Sequence, residues 1–199
     1  MARLLLLRHA QIKANRQGRW HGSTDSALTW RGRRQARRTA RFLAAQPDPI
    51  VAIYSSPLQR CRHTADAVGN LLGLPVAVHD DLREYAIGDW ENLPFRQLAE
   101  EHRFMELTAG NHDFAPPGGE SLRAVADRIV QALREIHDQH DDGQVLLVSH
   151  GAALAVALGT LLEDDPASWT NYPLANCSLT QLMLSPAPYV NFFNSTRHL

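Results

Sequence analysis

Only two cysteines, Cys61 and Cys177, and one lysine, Lys13, occur in the 199 residues. Two cysteines cannot build a disulfide framework and neither opens a C-x-x-C pair, so both are expected as free thiols in a reducing compartment. The lysine has no G-x-x-x-x-G before it, which excludes a P-loop. Long apolar runs are missing too. The N-terminal run Leu4–Leu7 falls short of the roughly 7–15 apolar residues of a signal-peptide core. Gly143 to Leu162 carries no Asp, Glu, Lys or Arg. It is interrupted by Gln144, Ser149, His150, Gly151 and Gly159, which suits a strand, a turn and a packed helix better than a membrane span. A cytoplasmic protein without a membrane partner is therefore expected. Net charge is nearly absent at −1, which argues against a nucleic-acid coat or a membrane-surface protein. The total conceals a split: residues 1–62 hold 13 of the 20 Lys and Arg with only Asp25 and Asp48, a net of +11, and the remainder nets −12.

What is present is an ordinary globular composition, 44% hydrophobic and 21% charged. One domain over 1–199 is expected, with a cap segment at about 84–120. Leu4–Leu7, Ile50–Tyr54, Val76–Val78 and Val145–Val148 read as buried strands, and Leu179–Leu184 as an edge strand. Trp30–Ala45, Leu58–Leu72, Phe95–Thr108, Ser121–His137 and Ala152–Leu162 read as helices. This alternation predicts a three-layer α/β/α sandwich with a mostly parallel central sheet and a small helical and loop cap over the C-terminal strand ends.

In such sheets the functional site lies beyond the carboxyl ends of the strands. Arg8-His9 follows the first strand, Ser55 to Arg60 the second, and Ser149-His150-Gly151 the fourth. Three strands thus deliver Arg8, His9, Arg60 and His150 to one edge. Two guanidinium forks and two imidazoles suit a phosphate. No cysteine stands six positions before an arginine and no Asp-x-Asp occurs, which removes two common phosphoryl acceptors. Histidine is left as the acceptor.

Leu6-Leu7-Arg8-His9-Ala10-Gln11 with Asn15 resembles the strand-end Arg-His-Gly motif of the histidine phosphatase superfamily, which includes cofactor-dependent phosphoglycerate mutases. Five further blocks come in order: Asp25–Thr29 with Gly32 and Gln35-Ala36; Ser55–Arg60 with Thr64-Ala65; Leu82–Glu84 with Gly88–Glu91; Pro117–Ser121; and Val148–Gly151. The ordered set carries the resemblance, over residues 4–151. It implies His9 as nucleophile, forming a phosphohistidine. It implies Arg8, Arg60 and His150 as holders of the phosphoryl oxygens with Asn15 assisting, and Glu84 as the acid that becomes the base. It implies neither metal nor cofactor. His21, Gly22 and Gly151 are further candidate contacts, and the rest of the substrate is expected against Glu84–Asn92, the helix from Phe95 and the loop Asn111–Glu120. Ala10 and Gln11 depart from the usual Gly and Glu, which predicts a slight displacement of the turn after His9 and the loss of a supporting charge.

The reading favoured by the sequence is a metal-independent phosphomonoesterase acting on a small phosphorylated metabolite, of the histidine acid type. Only 65 residues separate Glu84 from His150, a short interval for a mutase, which has to shelter a bisphosphate from water. A phosphoglycerate mutase-type transferase and a catalytically silent phospho-ligand module are the alternatives. Arg34, Arg37, Arg38 and Arg41 share a helix face opposite Ala36, Ala40 and Leu43, so they are expected as a solvated face and not as a nucleic-acid surface. His137–Asp142 is expected as a polar helix end, not a metal site. No feature of the sequence sets the oligomeric state, and a homodimer is carried as one option.

Overall fold

The computed structural model describes residues 2–199. Six strands form one sheet: β1 (Arg3–Arg8), β2 (Ile50–Ser55), β3 (Val76–Val78), β4 (Gln144–Ser149), β5 (Leu179–Met183) and β6 (Tyr189–Ser195). Their order across the sheet is β3-β2-β4-β1-β5-β6. The first four are parallel, and β5 and β6 add antiparallel at one side.

The uninterrupted apolar runs of β1 and β4 arise from covering both faces of a sheet whose side chains alternate. Leu5, Leu7, Leu146 and Val148 point to the layer of α2 (Trp30–Ala44) and α3 (Gln59–Leu72), where Ala36, Ala40, Leu43 and Val68 meet them. Leu4, Leu6, Val145 and Leu147 point to α6 (Leu122–Asp138) and α7 (Gly151–Glu163), meeting Ile129, Leu133, Leu154 and Leu158. Arg34, Arg37, Arg38 and Arg41 are exposed, as their helix face predicts. Thr29 caps α2 by accepting from Gly32 N at 3.0 Å, and Ser121 caps α6 by accepting from Ala124 N at 3.1 Å. No helix among the described residues is long and apolar enough to cross a membrane.

A third apolar cluster joins Trp20, Tyr85, Ile87, Leu98, Phe104 and Val125 beside the strand ends. Here the expected helix Phe95–Thr108 is two helices, α4 (Phe95–Glu100) and α5 (Phe104–Gly110), separated at Arg103 with φ 51°. At about 100° per residue, Leu98 and Phe104 on one helix would point about 120° apart. The break lets both bury in the same cluster. The C-terminal end also differs from expectation. β5 is interior, because Tyr189–Ser195 pairs outside it and becomes the edge. A short helix, α1 (Lys13–Gln17), comes after the first strand, where the apolar pattern predicts none.

Candidate active site

Because β4 lies between β2 and β1, the residues leaving these strands emerge side by side. Arg8 pairs with Ser149 and Ser55 with Val148. His9 N then donates to Ser149 O at 2.9 Å, and Ser56 N to Val148 O at 3.0 Å. The His9 and His150 rings sit 5.3 Å apart, edge to face.

His9 is buried, and its Nδ1 lies 2.8 Å from Ala10 O. A carbonyl only accepts, so Nδ1 carries the proton and Nε2 keeps the lone pair. Burial first, then the guanidinium groups of Arg60 and Arg8, hold its pKa well below the ordinary imidazole value. His150 is fully buried and is depressed by burial and then by Arg60. Arg60 Nε donates to its Nδ1 at 3.1 Å, leaving Nε2–H for Ser56 Oγ at 2.8 Å. Cys61, 3.3 Å from that ring, is a packing group whose thiol is pushed up by burial.

Two imidazoles held neutral give the fold an acid weakness of known sign. The unfolded chain takes up their protons near pH 6.5 and the native state does not, so stability is fully present above that pH and is lost below it. We expect a loss of about 2–3 kcal/mol between pH 7.5 and 5.5, read as a fall in the urea midpoint. A level midpoint would mean that both rings protonate freely inside the fold.

Arg60 is fully buried at the start of α3. Beyond His150 it donates to Thr24 O at 2.8 Å, His21 O at 3.0 Å and Gly22 O at 2.8 Å, so four of its five N–H groups are engaged. The loop that accepts these bonds is itself pinned by Glu91. That carboxylate accepts from Gly22 N at 3.0 Å, Ser23 N at 3.1 Å, Thr24 N at 3.2 Å and Thr24 Oγ1 at 2.7 Å. A Cβ on Gly22 would stand 2.3 Å from Tyr85 O, so only glycine lets the loop lie this close. Replacing Glu91 by alanine is expected to free the loop, let Arg60 shift by about an ångström, and lower kcat of the catalysed reaction about a hundredfold. Unaltered kcat in a folded E91A variant would separate the loop from the chemistry.

Arg8 Nη1 donates to Leu174 O, while its buried Nε has no protein partner. A buried unpaired donor is costly, and an anionic oxygen in the adjoining cavity is the acceptor that would satisfy it. Gly151 makes room for this guanidinium, since a Cβ there would lie 3.1 Å from Arg8 Nε. Glu84 sits against the N-terminus of α7, accepting from Ala152 N at 3.2 Å and Ala153 N at 2.8 Å. Its backbone carbonyl takes Arg128 Nη2 at 3.0 Å, and Arg128 is paired with Glu120 at 2.7 Å.

A cavity of about 630 Å³ opens over these groups, lined at its base by Arg8, His9, Asn15, Glu84 and Gly151, with His21 on its wall. Asn15 Oδ1 already accepts from Ile12 N and from Asn176 Nδ2, which leaves the Asn15 Nδ2 hydrogens for a guest. Arg60, His150 and Gly22 do not line this space and stand behind His9. The loop Asn111–Glu120, expected against the substrate, does not line it either. It packs on Gly88 instead, and its Glu120 holds Arg128.

In its place stand Trp169, Tyr172, Leu174 and Asn176. The antiparallel β5 begins where β1 ends, Leu179 opposite Leu7, so the segment before β5 is carried to the site. Ala10 has no left-handed φ and its N–H donates to Thr64 Oγ1 at 3.1 Å, so no strain replaces the usual glycine. Gln11 Oε1 accepts from Thr29 Oγ1 at 3.1 Å, a neutral bond in place of the usual glutamate's charge.

The sequence pattern of the histidine phosphatase superfamily, branch 1, matches residues 4–190. Bifunctional protein Rv2228c of Mycobacterium tuberculosis is 35% identical over 99% of this chain, which spans only 55% of that protein. The "Probable phosphoglycerate mutase GpmB" of Escherichia coli is 33% identical over 92% of this chain and 85% of its own length. Among solved structures, phosphoserine phosphatase from Entamoeba histolytica, in complex with 3-phosphoglyceric acid, superposes with TM-score 0.88 at 29% identity over the whole of both chains. A mycobacterial glucosyl-3-phosphoglycerate phosphatase, Rv2419c, complexed with VO3, gives 0.85 at 32% identity, covering 98% of this chain and 99% of its own. With the strand-end histidines, the arginines Arg8 and Arg60 and a match over most of its length, this chain belongs to the histidine phosphatase superfamily, branch 1.

Proposed function

We propose that the chain hydrolyses small phosphate monoesters through a phosphohistidine on His9. The observation that carries this reading is the His9 ring itself: its Nδ1 is bonded to Ala10 O, which leaves Nε2 free, it lines the cavity beside Arg8, and burial with the Arg60 and Arg8 guanidinium groups disfavours its protonation. His9 Nε2 attacks phosphorus as the ester P–O bond breaks. Glu84, the one carboxylate lining the cavity, gives its proton to the departing alkoxide. It then takes a proton from water, which attacks the phosphohistidine, breaks the N–P bond and releases phosphate. Arg8 and Asn15 receive the phosphoryl oxygens from the cavity side, and Arg60 and His150 support them from behind, offsetting charge on the equatorial oxygens. The mutase reading has the GpmB relative in its favour.

A panel of phosphorylated metabolites separates the two readings. Steady release of inorganic phosphate without isomerised product supports hydrolysis. Isomerisation of 3-phosphoglycerate that depends on 2,3-bisphosphoglycerate supports the mutase. Binding without turnover would leave a phospho-ligand module.

A further inference from the structure

We infer that the alcohol part of the substrate is a planar or otherwise apolar body, not a polyol and not a short acid. This rests on the phosphomonoesterase reading above and concerns the wall of the same cavity. Beyond the cationic floor, that wall is made of Trp20, Phe95, Met105, Trp169, Pro173 and Leu174. Trp20 is the hub: it stacks on Phe95 at 6.2 Å with planes 10° apart and meets Trp169 edge-on at 6.2 Å.

Most polar groups of the wall are engaged within the protein, the exposed Thr170 hydroxyl apart. Trp20 Nε1 donates to Tyr85 O at 3.1 Å. The His21 ring nitrogens pair with Ser26 Oγ at 2.6 Å and Asn92 Oδ1 at 3.1 Å. Asn176 Nδ2 donates to His9 O and Asn15 Oδ1, and the Tyr172 hydroxyl pairs with Glu163. Arg19 gives one Nη1 hydrogen to Asn92 O at 2.6 Å and is the one charged side chain of the outer wall. A polyol entering here would lose water from several hydroxyls and find few partners, whereas an aromatic body would bury against rings. Arg19 is the feature that could instead favour a carboxylate, so the test has to include one.

The experiment compares kcat/KM for three esters of unactivated primary alcohols, which keeps the leaving groups chemically alike: 2-phenylethyl phosphate, glycerol 3-phosphate and 3-phosphoglycerate. The phenylethyl ester is expected to exceed each of the others at least tenfold, and Phe95→Ala to shrink that ratio severalfold. Phe95 is 45% exposed, so this variant leaves the buried cluster standing. Equal or faster turnover of either polar ester overturns the inference while leaving the hydrolase reading intact. If none of the three esters releases phosphate, the hydrolase reading fails and this inference fails with it.

Discussion

Replacing His9 by alanine is expected to slow hydrolysis by about 10⁴-fold or more, because nothing else on the cavity floor can form the covalent intermediate. Arg8 and Asn15 offer only donors, and Glu84, the remaining oxygen nucleophile, is held by the backbone N–H groups that open α7. The residual rate in the variant would come from the donors that still stabilise the phosphoryl oxygens. His9 is also one of two imidazoles denied a proton by the fold. The same substitution should therefore remove part of the acid sensitivity, raising stability at pH 5.5 relative to wild type more than at pH 7.5. Rate and pH-dependent stability thus report independently on one side chain. Turnover within tenfold of wild type would remove His9 from the chemistry.

The second large effect is expected at Arg60, where a stability loss accompanies the loss of rate. Its side chain is the common donor to His150 Nδ1, His21 O, Gly22 O and Thr24 O. Truncation to alanine strands four acceptors at a fully buried position, at a cost of about 3–4 kcal/mol, or roughly 10 °C in Tm for a chain of this size. Lysine should not rescue it, since a point charge with three donors cannot reproduce a planar fork that serves four acceptors. Thermal melts of Arg60→Ala and Arg60→Lys provide the measurement. A Tm within 2 °C of wild type for either would show that the loop 21–24 is held without it.

The sheet and the position of the site can be read in the sequence because both depend on local pattern. Leu4–Leu7 and Val145–Val148 are apolar without interruption, which only a doubly covered strand requires, and the residues that leave such strands gather at one edge. Arg8, His9 and His150 are legible for this reason. The features that escape the sequence depend on long-range packing. Nothing local in Phe95–Thr108 says that Leu98 and Phe104 share a partner, so the break at Arg103 has no local signal. Trp169 and Asn176 reach the cavity only because β5 runs antiparallel to β1, and that is a property of the pairing. Gly22 and Glu91 stand in recognisable blocks, yet their work, holding the carbonyls that orient Arg60, lies between residues 69 apart in the chain. The split of charge is explained at last by depth: Arg8 and Arg60 are at the site, and Arg34, Arg37, Arg38 and Arg41 face solvent.

The claim that the phosphoryl group passes through His9 is met most directly by trapping it there. With p-nitrophenyl phosphate, whose leaving group needs no proton, Glu84→Gln should still be phosphorylated but should release phosphate slowly, since the base that activates water is gone. Rapid mixing should then show a burst close to one p-nitrophenolate per chain. Quenched protein should carry a base-stable, acid-labile phosphoryl group on the peptide containing His9. Turnover of the same ester with no burst and no phosphoryl on that peptide, in both this variant and wild type, would contradict the account.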